Sequence, residues 1–429
     1  MPPKLSVRNL FKVFGPRPGK AIRLAGSGFD KDAIFRETRS VVAVNDISFD
    51  LAPGEIFVVM GLSGSGKSTL VRCLNRLVDP SRGSIRVDGT EIADIGREAL
   101  RQIRLRKISM VFQHFALFPH KTVLENAEYG LKMQGVSPQE RRERALQALD
   151  AVGLSGWTEA LPEALSGGMR QRVGIARALA VNPEVLLMDE PFGALDPLIR
   201  AEMQKELLRL RERYNCAIVF ISHDLNEALS LGDRIAIMKD GRFVQVGTAH
   251  EIVTEPADDY VAAFTRDVDR SRVLPAAVVT ADLEPLIAGH DRVGAARERL
   301  EEVPHDSLPV VDGTSRFIGL VDAESLADRP ARLDVREAIR KEAAAVQSDA
   351  PIVEVFGQCA AGHTVPVVSA SGRYKGVIDP LQVFAVLGKD QTNGEAEIDG
   401  RADDEADPMA DETPPPAIAA AGLPARAHA

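Results

Sequence analysis

The stretch IFVVMGLSGSGKST, residues 56–69, decides the fold of this chain. Its second part fits the spacing G-x-x-x-x-G-K-[ST] of a phosphate-binding loop through Gly61, Gly66, Lys67 and Ser68. The apolar run before the loop has the length of a buried strand, and a helical pattern follows the loop. The sequence therefore predicts an α/β fold in which a strand, a glycine-rich loop and a helix together bind phosphate groups.

The residue types of the loop suit this chemistry. Glycines allow the backbone to curl until successive N–H groups point at phosphate oxygens, and the start of the helix adds its positive end. We expect Lys67 to reach the β- and γ-phosphates of ATP and the Ser68 hydroxyl to coordinate Mg²⁺. The other loop residues expected to contact the nucleotide are Ser63, Gly64, Ser65 and Thr69. A turn that binds no nucleotide is the alternative, and the flanking strand and helix patterns argue against it.

A second apolar run, residues 185–188, ends in the acids Asp189 and Glu190. The carboxyl end of a strand in an open parallel sheet is where ligands bind. We expect Asp189 to bind Mg²⁺ through its water shell and Glu190 to polarise the water that attacks the γ-phosphate. Neighbouring side chains of a strand point to opposite faces, so the two acids can have different roles. Without the loop, this pair would indicate no more than a polar strand end.

Two further motifs, LSGGMRQ at 165–171 and ISHD at 221–224, complete a pattern that resembles the nucleotide-binding subunits of ABC transporters. The resemblance implies that Gln113, in VFQHFALFPH, senses Mg²⁺ and faces a membrane partner. His223 would contact the γ-phosphate and position the water beside Glu190. The resemblance also implies that two copies pair and that each contributes residues to the nucleotide of the other, namely Ser166, Gly167, Gly168, Gln171 and Asp196.

Three of these assignments have structural alternatives. Phe14, in KVFG, stands where the family has an aromatic that stacks on adenine, but a packing residue of the first strand would also fit. Ser166 before a helical pattern is typical of an ordinary helix N-cap as well. A single histidine is more often structural, although the apolar run Ala217 to Ile221 before His223 favours the switch role.

Composition limits the class of protein. The length of 429 residues predicts about three domains. The chain has no run of roughly 20 apolar residues and begins without a signal-peptide pattern, so we expect separate membrane subunits and a peripheral location on the cytoplasmic side of the inner (plasma) membrane. Cys73, Cys216 and Cys359 are far apart, which indicates a reducing compartment and argues against a disulfide framework. A net charge of −10 argues against nucleic acid as a partner.

A long insert, residues 15–40, separates the first two strand patterns, which ordinary ABC ATPases connect with a few residues. With MGLSGSGKSTLVRCLNRL and VFQHFALFPHKTVLEN, it resembles the ATPase subunits of glycine betaine/proline importers over residues 4–388. The resemblance implies a homodimer that works with permease subunits and, indirectly, with an extracytoplasmic solute-binding protein. An importer of choline or another quaternary amine and a soluble, non-transport ABC ATPase are the alternatives. The latter usually has two nucleotide domains or a coiled-coil insert, and this chain has neither.

The sequence predicts three parts: an ABC nucleotide-binding domain at 1–267, a regulatory module at 271–388 and a tail at 389–429. The first would contain a helical subdomain at about 114–165, with an amphipathic helix from Pro138 to Val152. The tail is rich in Ala, Pro, Asp and Glu, and this composition predicts disorder.

The proposed regulatory module contains an internal repeat. SLPVV at 307–311 recurs as TVPVV at 364–368, so that each position reappears 57 residues later. This pattern resembles a tandem pair of CBS (cystathionine-β-synthase-type) motifs, an α+β module that would sense osmotic stress by docking on anionic lipid, or bind a cyclic dinucleotide. A purely structural role is the alternative. Asp322 with Ser325, and Asp379 with Gln382, depart from the nucleotide-binding pattern and argue against a simple adenosine-nucleotide site there.

Overall fold

The computed structural model describes most of the chain, namely residues 2–112, 116–193, 195–266, 268–340 and 344–388. Gln113 and the predicted acidic tail lie outside these ranges. Judged by contacts, the residues up to Ile378 form one compact unit, and the residues from Asp379 onward belong to a second unit. None of the helices within these ranges combines the length and the apolar character that spanning a bilayer requires.

The part of the chain that precedes residue 267 contains strands and helices in alternation. The strands are β1 (Leu5–Phe14), β2 (Val41–Leu51), β3 (Ile56–Met60), β4 (Arg82–Val87), β5 (Thr90–Glu91), β6 (Ile108–Val111), β7 (Val185–Asp189), β8 (Ala217–Ser222), β9 (Arg234–Lys239) and β10 (Arg242–Gly247). The helices are α1 (Pro18–Gly26), α2 (Lys31–Thr38), α3 (Lys67–Leu74), α4 (Arg97–Arg106), α5 (Val123–Met133), α6 (Pro138–Ala151), α7 (Gly167–Ala180), α8 (Pro197–Tyr214), α9 (Leu225–Leu231), α10 (Ala249–Thr254) and α11 (Asp259–Thr265).

The central sheet has the order β10-β9-β3-β8-β7-β6, and every neighbouring pair is parallel except β9 and β10. All residues of β3, β7 and β8 are buried, as expected for strands covered on both faces. The antiparallel sheet β2-β1-β4-β5 covers one face, where the rings of Phe49 and Phe57 stack at 4.7 Å. Helices α7 and α9 contact the other face, and α5 and α6 pack against α7.

These elements confirm the strand and helix patterns of the sequence. The strand Ile56–Met60 has the predicted bounds, and the runs predicted to end at Met188 and Ile221 each extend one residue further, to Asp189 and Ser222. Helix α6 begins at Pro138, where the fixed φ of proline favours a first helical turn, and ends one residue earlier than predicted. Because β3, β7 and β8 are parallel neighbours, their carboxyl ends meet at one edge of the sheet.

The insert between β1 and β2 folds into the two short helices α1 and α2. Asp30 caps α2 by accepting a hydrogen bond from the Ala33 N–H at 2.7 Å. Apolar side chains of both helices, Ala21, Ala25 and Ile34, are buried together with residues of β1 and β2. The insert is therefore packed against the antiparallel sheet at the end of these strands.

The repeated region forms two small sheets. Its strands are β11 (Thr280–Ala281), β12 (Leu286–Ile287), β13 (Ser307–Val311), β14 (Phe317–Asp322), β15 (Val346–Gln347), β16 (Pro366–Val368) and β17 (Tyr374–Ile378). Its helices are α12 (Val293–Glu302), α13 (Ala323–Ala327) and α14 (Phe356–Ala360), and α15 (Pro380–Gly388) belongs to the second unit. Short 3-10 helices occur at Ser155–Trp157, Pro162–Ala164, Arg270–Arg272, Ala276–Val279, Val335–Ala338 and Ile352–Val355.

The repeat found in the amino-acid sequence is also present in the structure. In the hairpin β13–β14 Val310 pairs with Gly319, and in β16–β17 Val367 pairs with Gly376, so the register recurs with the same offset. The turns of the two hairpins exchange backbone hydrogen bonds: Phe317 N–H donates to the Gly372 carbonyl at 3.1 Å, and Tyr374 N–H donates to the Ser315 carbonyl at 3.0 Å. Each copy therefore contacts the other through its main chain.

Candidate active site at the carboxyl ends of the parallel strands

The loop between β3 and α3 adopts a conformation that requires glycine at two positions. Gly61 has φ +154° and Gly66 has φ +107°, a backbone region that residues with a side chain rarely adopt. A Cβ atom at Gly61 would lie 2.1 Å from the Met238 carbonyl oxygen, and one at Gly66 would lie 2.1 Å from the Ala43 carbonyl oxygen. The loop is therefore clamped between β2 and β9, and its shape depends on both glycines.

Lys67 begins helix α3 and points back along the loop. Its ammonium donates hydrogen bonds to the carbonyl oxygens of Gly61 at 2.7 Å and Leu62 at 3.1 Å. Burial lowers the pKa of Lys67, while the nearby carboxylates of Glu190 and Asp189 oppose that effect. An anionic ligand in the loop would favour the charged form of this lysine further.

Ser68 and Asp189 meet at the base of the loop. The Ser68 hydroxyl donates to Asp189 Oδ1 at 2.9 Å, and the carboxylate is almost completely buried. A guanidinium nitrogen of Arg72 lies 3.5 Å from the other carboxylate oxygen. The sequence separates Ser68 and Asp189 by more than a hundred residues, and they meet because helix α3, which follows β3, crosses β8 and reaches the end of β7.

Glu190 and His223 lie at the ends of adjacent strands, directly after β7 and β8. Glu190 has φ +46°, a left-handed conformation that turns its side chain away from the strand direction. The distance between His223 Nδ1 and Glu190 Oε2 is 3.4 Å, and the imidazole is 62% exposed. An acid and an imidazole that face one opening can bind and orient a water molecule there.

A cavity of about 680 Å³ is lined by Lys67 and Ser68 of the loop and by Glu190 and His223 at the strand ends. It contains most of the loop residues predicted to bind nucleotide, together with the acid and the histidine. The residues that line it are Lys31, Val41, Val42, Ala43, Gly61, Leu62, Ser63, Gly64, Gly66, Lys67, Ser68, Thr69, Glu190 and His223. Ser65 is the loop residue that does not line the cavity. Its hydroxyl is buried and has no hydrogen-bond partner in the described part of the chain.

The other predicted site residues lie outside this cavity. Ser166 caps α7 by accepting a hydrogen bond from the Met169 N–H at 3.3 Å, and it is exposed. Asp196 caps α8 in the same way, through the Ile199 N–H at 3.1 Å. Gly168 packs beside Leu195, where a Cβ atom would lie 3.2 Å from a leucine methyl carbon. The starts of α7 and α8 are therefore neighbours, and Gly167 lies between Ser166 and Gly168.

Gln171 and Phe14 occupy positions that the sequence does not reveal. Gln171 is only 2% exposed and lies inside the core, where its amide nitrogen has no hydrogen-bond partner among the described residues. Phe14 is 46% exposed, and the Lys12 ammonium lies 4.8 Å from its ring centroid. The strand partner of Phe14, Val41, lines the cavity in its place.

Four lining residues belong to no motif that identifies them, namely Lys31, Val41, Val42 and Ala43, while Leu62 occupies a variable position of the loop. Lys31 comes from the insert, and residues 41–43 come from β2. Their place in the cavity wall therefore depends on how the insert and the antiparallel sheet pack on the loop. In sequence, the only signal is that β2 precedes the loop by a short connection.

The donor set at Ser68 and Asp189 suits Mg²⁺, because a hydroxyl and a carboxylate are hard oxygen ligands. No group of three or more His, Cys, Asp or Glu side chains arranged to bind a metal ion occurs within the ranges that the structure describes. Magnesium commonly binds through one or two protein oxygens, with water and substrate phosphates as its other ligands. The residues present therefore fit a magnesium ion that arrives with a nucleotide.

Comparison with known proteins places this geometry in a family. Residues 44–193 match the family model described as ABC transporter. The chain is 45% identical to the glycine betaine/proline betaine transport system ATP-binding protein ProV of Salmonella typhimurium, over 91% of this chain and 99% of that protein. It is also 45% identical to the glycine betaine transport ATP-binding protein OpuAA of Bacillus subtilis, over 88% and 90% of the two chains.

A solved structure is similar to the nucleotide-binding part. It is cbiO1 of Clostridium perfringens, part of the ABC transporter complex cbiONQ, which is 27% identical with a TM-score of 0.50 and covers 60% of this chain and 93% of that one. The identity with the transport subunits extends far beyond the loop and strand motifs, over nearly the whole length of each relative. The chain therefore belongs to the family of ATP-binding subunits of glycine betaine ABC transporters.

Proposed function

We propose that this chain hydrolyses ATP, as its Mg²⁺ complex, to drive the import of glycine betaine or a related betaine through separate membrane subunits. One observation carries the proposal: a single cavity collects Lys67, Ser68, Glu190 and His223 in a chain that matches a transport subunit over 91% of its length. Two copies would act together at the cytoplasmic face of the inner membrane, bound to permease subunits that receive solute from an extracytoplasmic binding protein.

The phosphates of ATP would bind along the loop. Backbone N–H groups of the loop and the N-terminus of α3 favour anions, and the Lys67 ammonium adds a full positive charge at the same place. The carbonyl oxygens that now accept from Lys67 belong to the loop itself, so the ammonium can exchange them for phosphate oxygens without leaving the site. The charge of the triphosphate would then offset the burial that lowers the pKa of this lysine.

Glu190 and His223 would act on the water that attacks the γ-phosphate. The carboxylate of Glu190 accepts a hydrogen bond from that water and orients one lone pair of the water oxygen toward phosphorus. The imidazole Nδ1 of His223 lies 3.4 Å from the same carboxylate and would hold it in position when the water binds. Both residues line the cavity, so they reach the terminal phosphate from one side.

Ser68 and Asp189 are the described residues that would hold Mg²⁺, and Gln113 would join them. When bound, the ion neutralises charge on the β- and γ-phosphates. The buried position of Asp189 keeps its carboxylate fixed beneath the loop, in contact with the Ser68 hydroxyl.

The second copy is needed because part of the predicted site lies outside the cavity. Ser166 opens an exposed helix N-terminus, where backbone N–H groups and the helix dipole favour an anion. Gly168 and the loop that ends at Asp196 lie next to it. In a head-to-tail pair, this surface of one copy would close the cavity of the other and contact the γ-phosphate.

Reconstitution tests the proposed function. The chain is co-produced with its permease subunits, incorporated into liposomes with the binding protein, and assayed for ATP hydrolysis and for uptake of labelled glycine betaine. We expect uptake that requires ATP and that Lys67→Ala abolishes. ATP hydrolysis that responds neither to the membrane subunits nor to a betaine would contradict the transport function and favour a soluble ABC ATPase. Uptake of choline in preference to betaines would indicate that the substrate is another quaternary amine.

For the C-terminal part we propose a regulatory role, with residues 271–388 as a tandem CBS module, and the tail predicted at 389–429 lies outside the described residues. Two arginines of the module pair with local acids: Arg299 with Glu284 at 2.8 Å, and Arg340 with Asp322 at 3.0 Å. Asp322 is also the N-cap of α13, where it accepts from the Ser325 N–H at 2.8 Å.

The lipid hypothesis has a direct test in the reconstituted complex. Salt screens charge interactions, with a Debye length of about 8 Å at physiological ionic strength and about 3 Å at molar salt. If the module docks on anionic lipid, ATP hydrolysis should rise with salt in anionic liposomes and stay constant in neutral ones. An equal salt response in both would exclude lipid docking, and a response to added cyclic dinucleotide would identify that ligand instead.

A further inference from the structure

The insert between β1 and β2 has a role beyond connecting two strands. Its helix α2 begins at Lys31, and this residue lines the same cavity as the phosphate-binding loop, Glu190 and His223. The insert thus reaches the nucleotide cavity from the side of the antiparallel sheet.

Local structure fixes the position of Lys31. Asp30, immediately before it, caps α2 through the Ala33 N–H, and Ile34 in the next turn is buried against β1 and β2. The helix cap and the buried Ile34 therefore hold the backbone of Lys31 in place. Its ammonium pairs with Asp240 Oδ1 at 3.2 Å, at the turn between β9 and β10.

This ion pair leaves the ammonium available to a ligand. Asp240 is 65% exposed at its side chain, and ion pairs in water contribute little because solvent screens them. A nucleotide in the cavity would offer oxygen and nitrogen acceptors to Lys31 in a more enclosed setting. Exchange of Asp240 for such an acceptor is then favourable.

The lining residues indicate which end of the nucleotide Lys31 meets. Glu190 and His223 mark the end of the cavity at which the γ-phosphate is hydrolysed, and the loop binds the chain of phosphates. The wall that consists of Lys31 and residues 41–43 remains for the nucleoside. Val41, which is 48% exposed, offers an apolar surface to the base, and Lys31 offers donors to the ribose hydroxyls or ring nitrogens.

We propose that Lys31 is a nucleotide-binding residue, supplied by the insert, that contacts the nucleoside end of ATP. The inference rests on the ATP-binding function of the chain and adds a contact that no motif of the phosphate loop provides. Because the contact does not involve the γ-phosphate, it strengthens the binding of ATP and ADP alike.

Calorimetric titration of the full-length protein with ATP and with ADP tests the proposal. Lys31→Ala should raise both dissociation constants on the order of tenfold, since it removes a charge-assisted hydrogen bond. Lys20→Ala is the matched control, because Lys20 lies in the same insert, pairs with Glu37 at 2.9 Å and does not line the cavity. This control should bind both nucleotides like the wild type.

Asp240→Ala separates nucleotide binding from a structural role of the ion pair. If Lys31 binds the nucleotide, removal of its competitor keeps or increases the affinity. If the pair only fastens the insert to the turn, Asp240→Ala weakens binding as much as Lys31→Ala does, and the proposal fails. It also fails if Lys31→Ala matches Lys20→Ala, or if the loss is confined to ATP. A wild-type protein that binds neither nucleotide would instead refute the ATP-binding function itself.

Discussion

The imidazole Nδ1 of His223 lies 3.4 Å from Oε2 of Glu190, although the two residues follow different strands of the parallel sheet. The contact exists because β7 and β8 are neighbours in register, with Asp189 opposite Ile221, so that the residues after them emerge at the same level. The left-handed backbone at Glu190 then turns its carboxylate toward the histidine.

From this geometry, Glu190→Gln should abolish ATP turnover and retain ATP binding. The amide preserves the shape of the side chain but cannot accept a proton from water, and loss of a general base commonly costs at least about a hundredfold in rate. Phosphate release and nucleotide binding, measured on the same preparation, check the two halves of the prediction. Hydrolysis retained at the wild-type rate would remove Glu190 from the role of base.

A second prediction concerns the N-cap of α7. Ser166→Ala removes the hydrogen bond from the Met169 N–H and should lower the free energy of unfolding by about 1 kcal/mol. Ser137→Ala is the matched control, because Ser137 caps α6 through the Glu140 N–H at the same distance of 3.3 Å. Chemical denaturation should show a similar loss for both variants.

Only Ser166→Ala should also lower ATP turnover, since Ser137 belongs to no predicted nucleotide contact. The steady-state rate is compared at protein concentrations that span the dimerisation range. An equal rate for the two variants would mean that the start of α7 serves only as a helix cap.

The third prediction is a pH dependence that arises from Glu227. This residue is 8% exposed, and burial raises the pKa of its carboxyl group, while hydrogen bonds from Ser222 at 2.5 Å and Gln204 at 3.1 Å oppose the shift. The folded protein therefore favours the protonated acid. Its contribution to stability is complete at low pH and is lost as pH rises through the raised pKa.

Glu227→Gln should remove this loss, because the amide does not ionise. The free energy of unfolding of the variant, relative to the wild type, is expected to increase between about pH 5 and about pH 8 when it is measured by urea denaturation. A difference that stays constant over this range would show that Glu227 has the same pKa in the folded and unfolded chains.

The fourth prediction concerns thiol reactivity. Burial raises the pKa of Cys73 to about 12 and that of Cys216 to about 11, and only the thiolate reacts with alkylating agents. Cys359 is partly exposed and its pKa is raised less. Iodoacetamide should therefore modify Cys359 first in the native protein and all three thiols after unfolding. Mass spectrometry of native samples that locates label at Cys73 would contradict this order.

Much of the catalytic edge follows from the sequence, because the strands that build it are continuous apolar runs with distinct polar ends. Ile56–Met60 was predictable to the residue, and the acids after β7 follow directly from the run before them. The contact between Ser68 and Asp189 and the contact between Glu190 and His223 depend on the order of the strands in the sheet. That order is a tertiary property that local patterns do not encode.

Other features could not be predicted for specific physical reasons. Gln171 belongs to a motif whose letters do not distinguish the face of α7 that is buried, and its side chain lies in the core. Lys31 is one charged residue in a charged insert, and its place beside the cavity depends on how α2 packs on β1 and β2. By contrast, the 57-residue offset of the sequence repeat recurs in the structure, where two hairpins have the same register at that spacing.

The main-chain exchange between the two hairpin turns has a consequence for how the C-terminal region diverged. Since Phe317 and Tyr374 donate through backbone N–H groups, these two hydrogen bonds do not themselves depend on the side chains at the two positions. The two copies of the repeat can thus differ in their surface side chains while the hydrogen bonds between their turns remain. Displacement of one hairpin would therefore act on the turn of the other through these two hydrogen bonds.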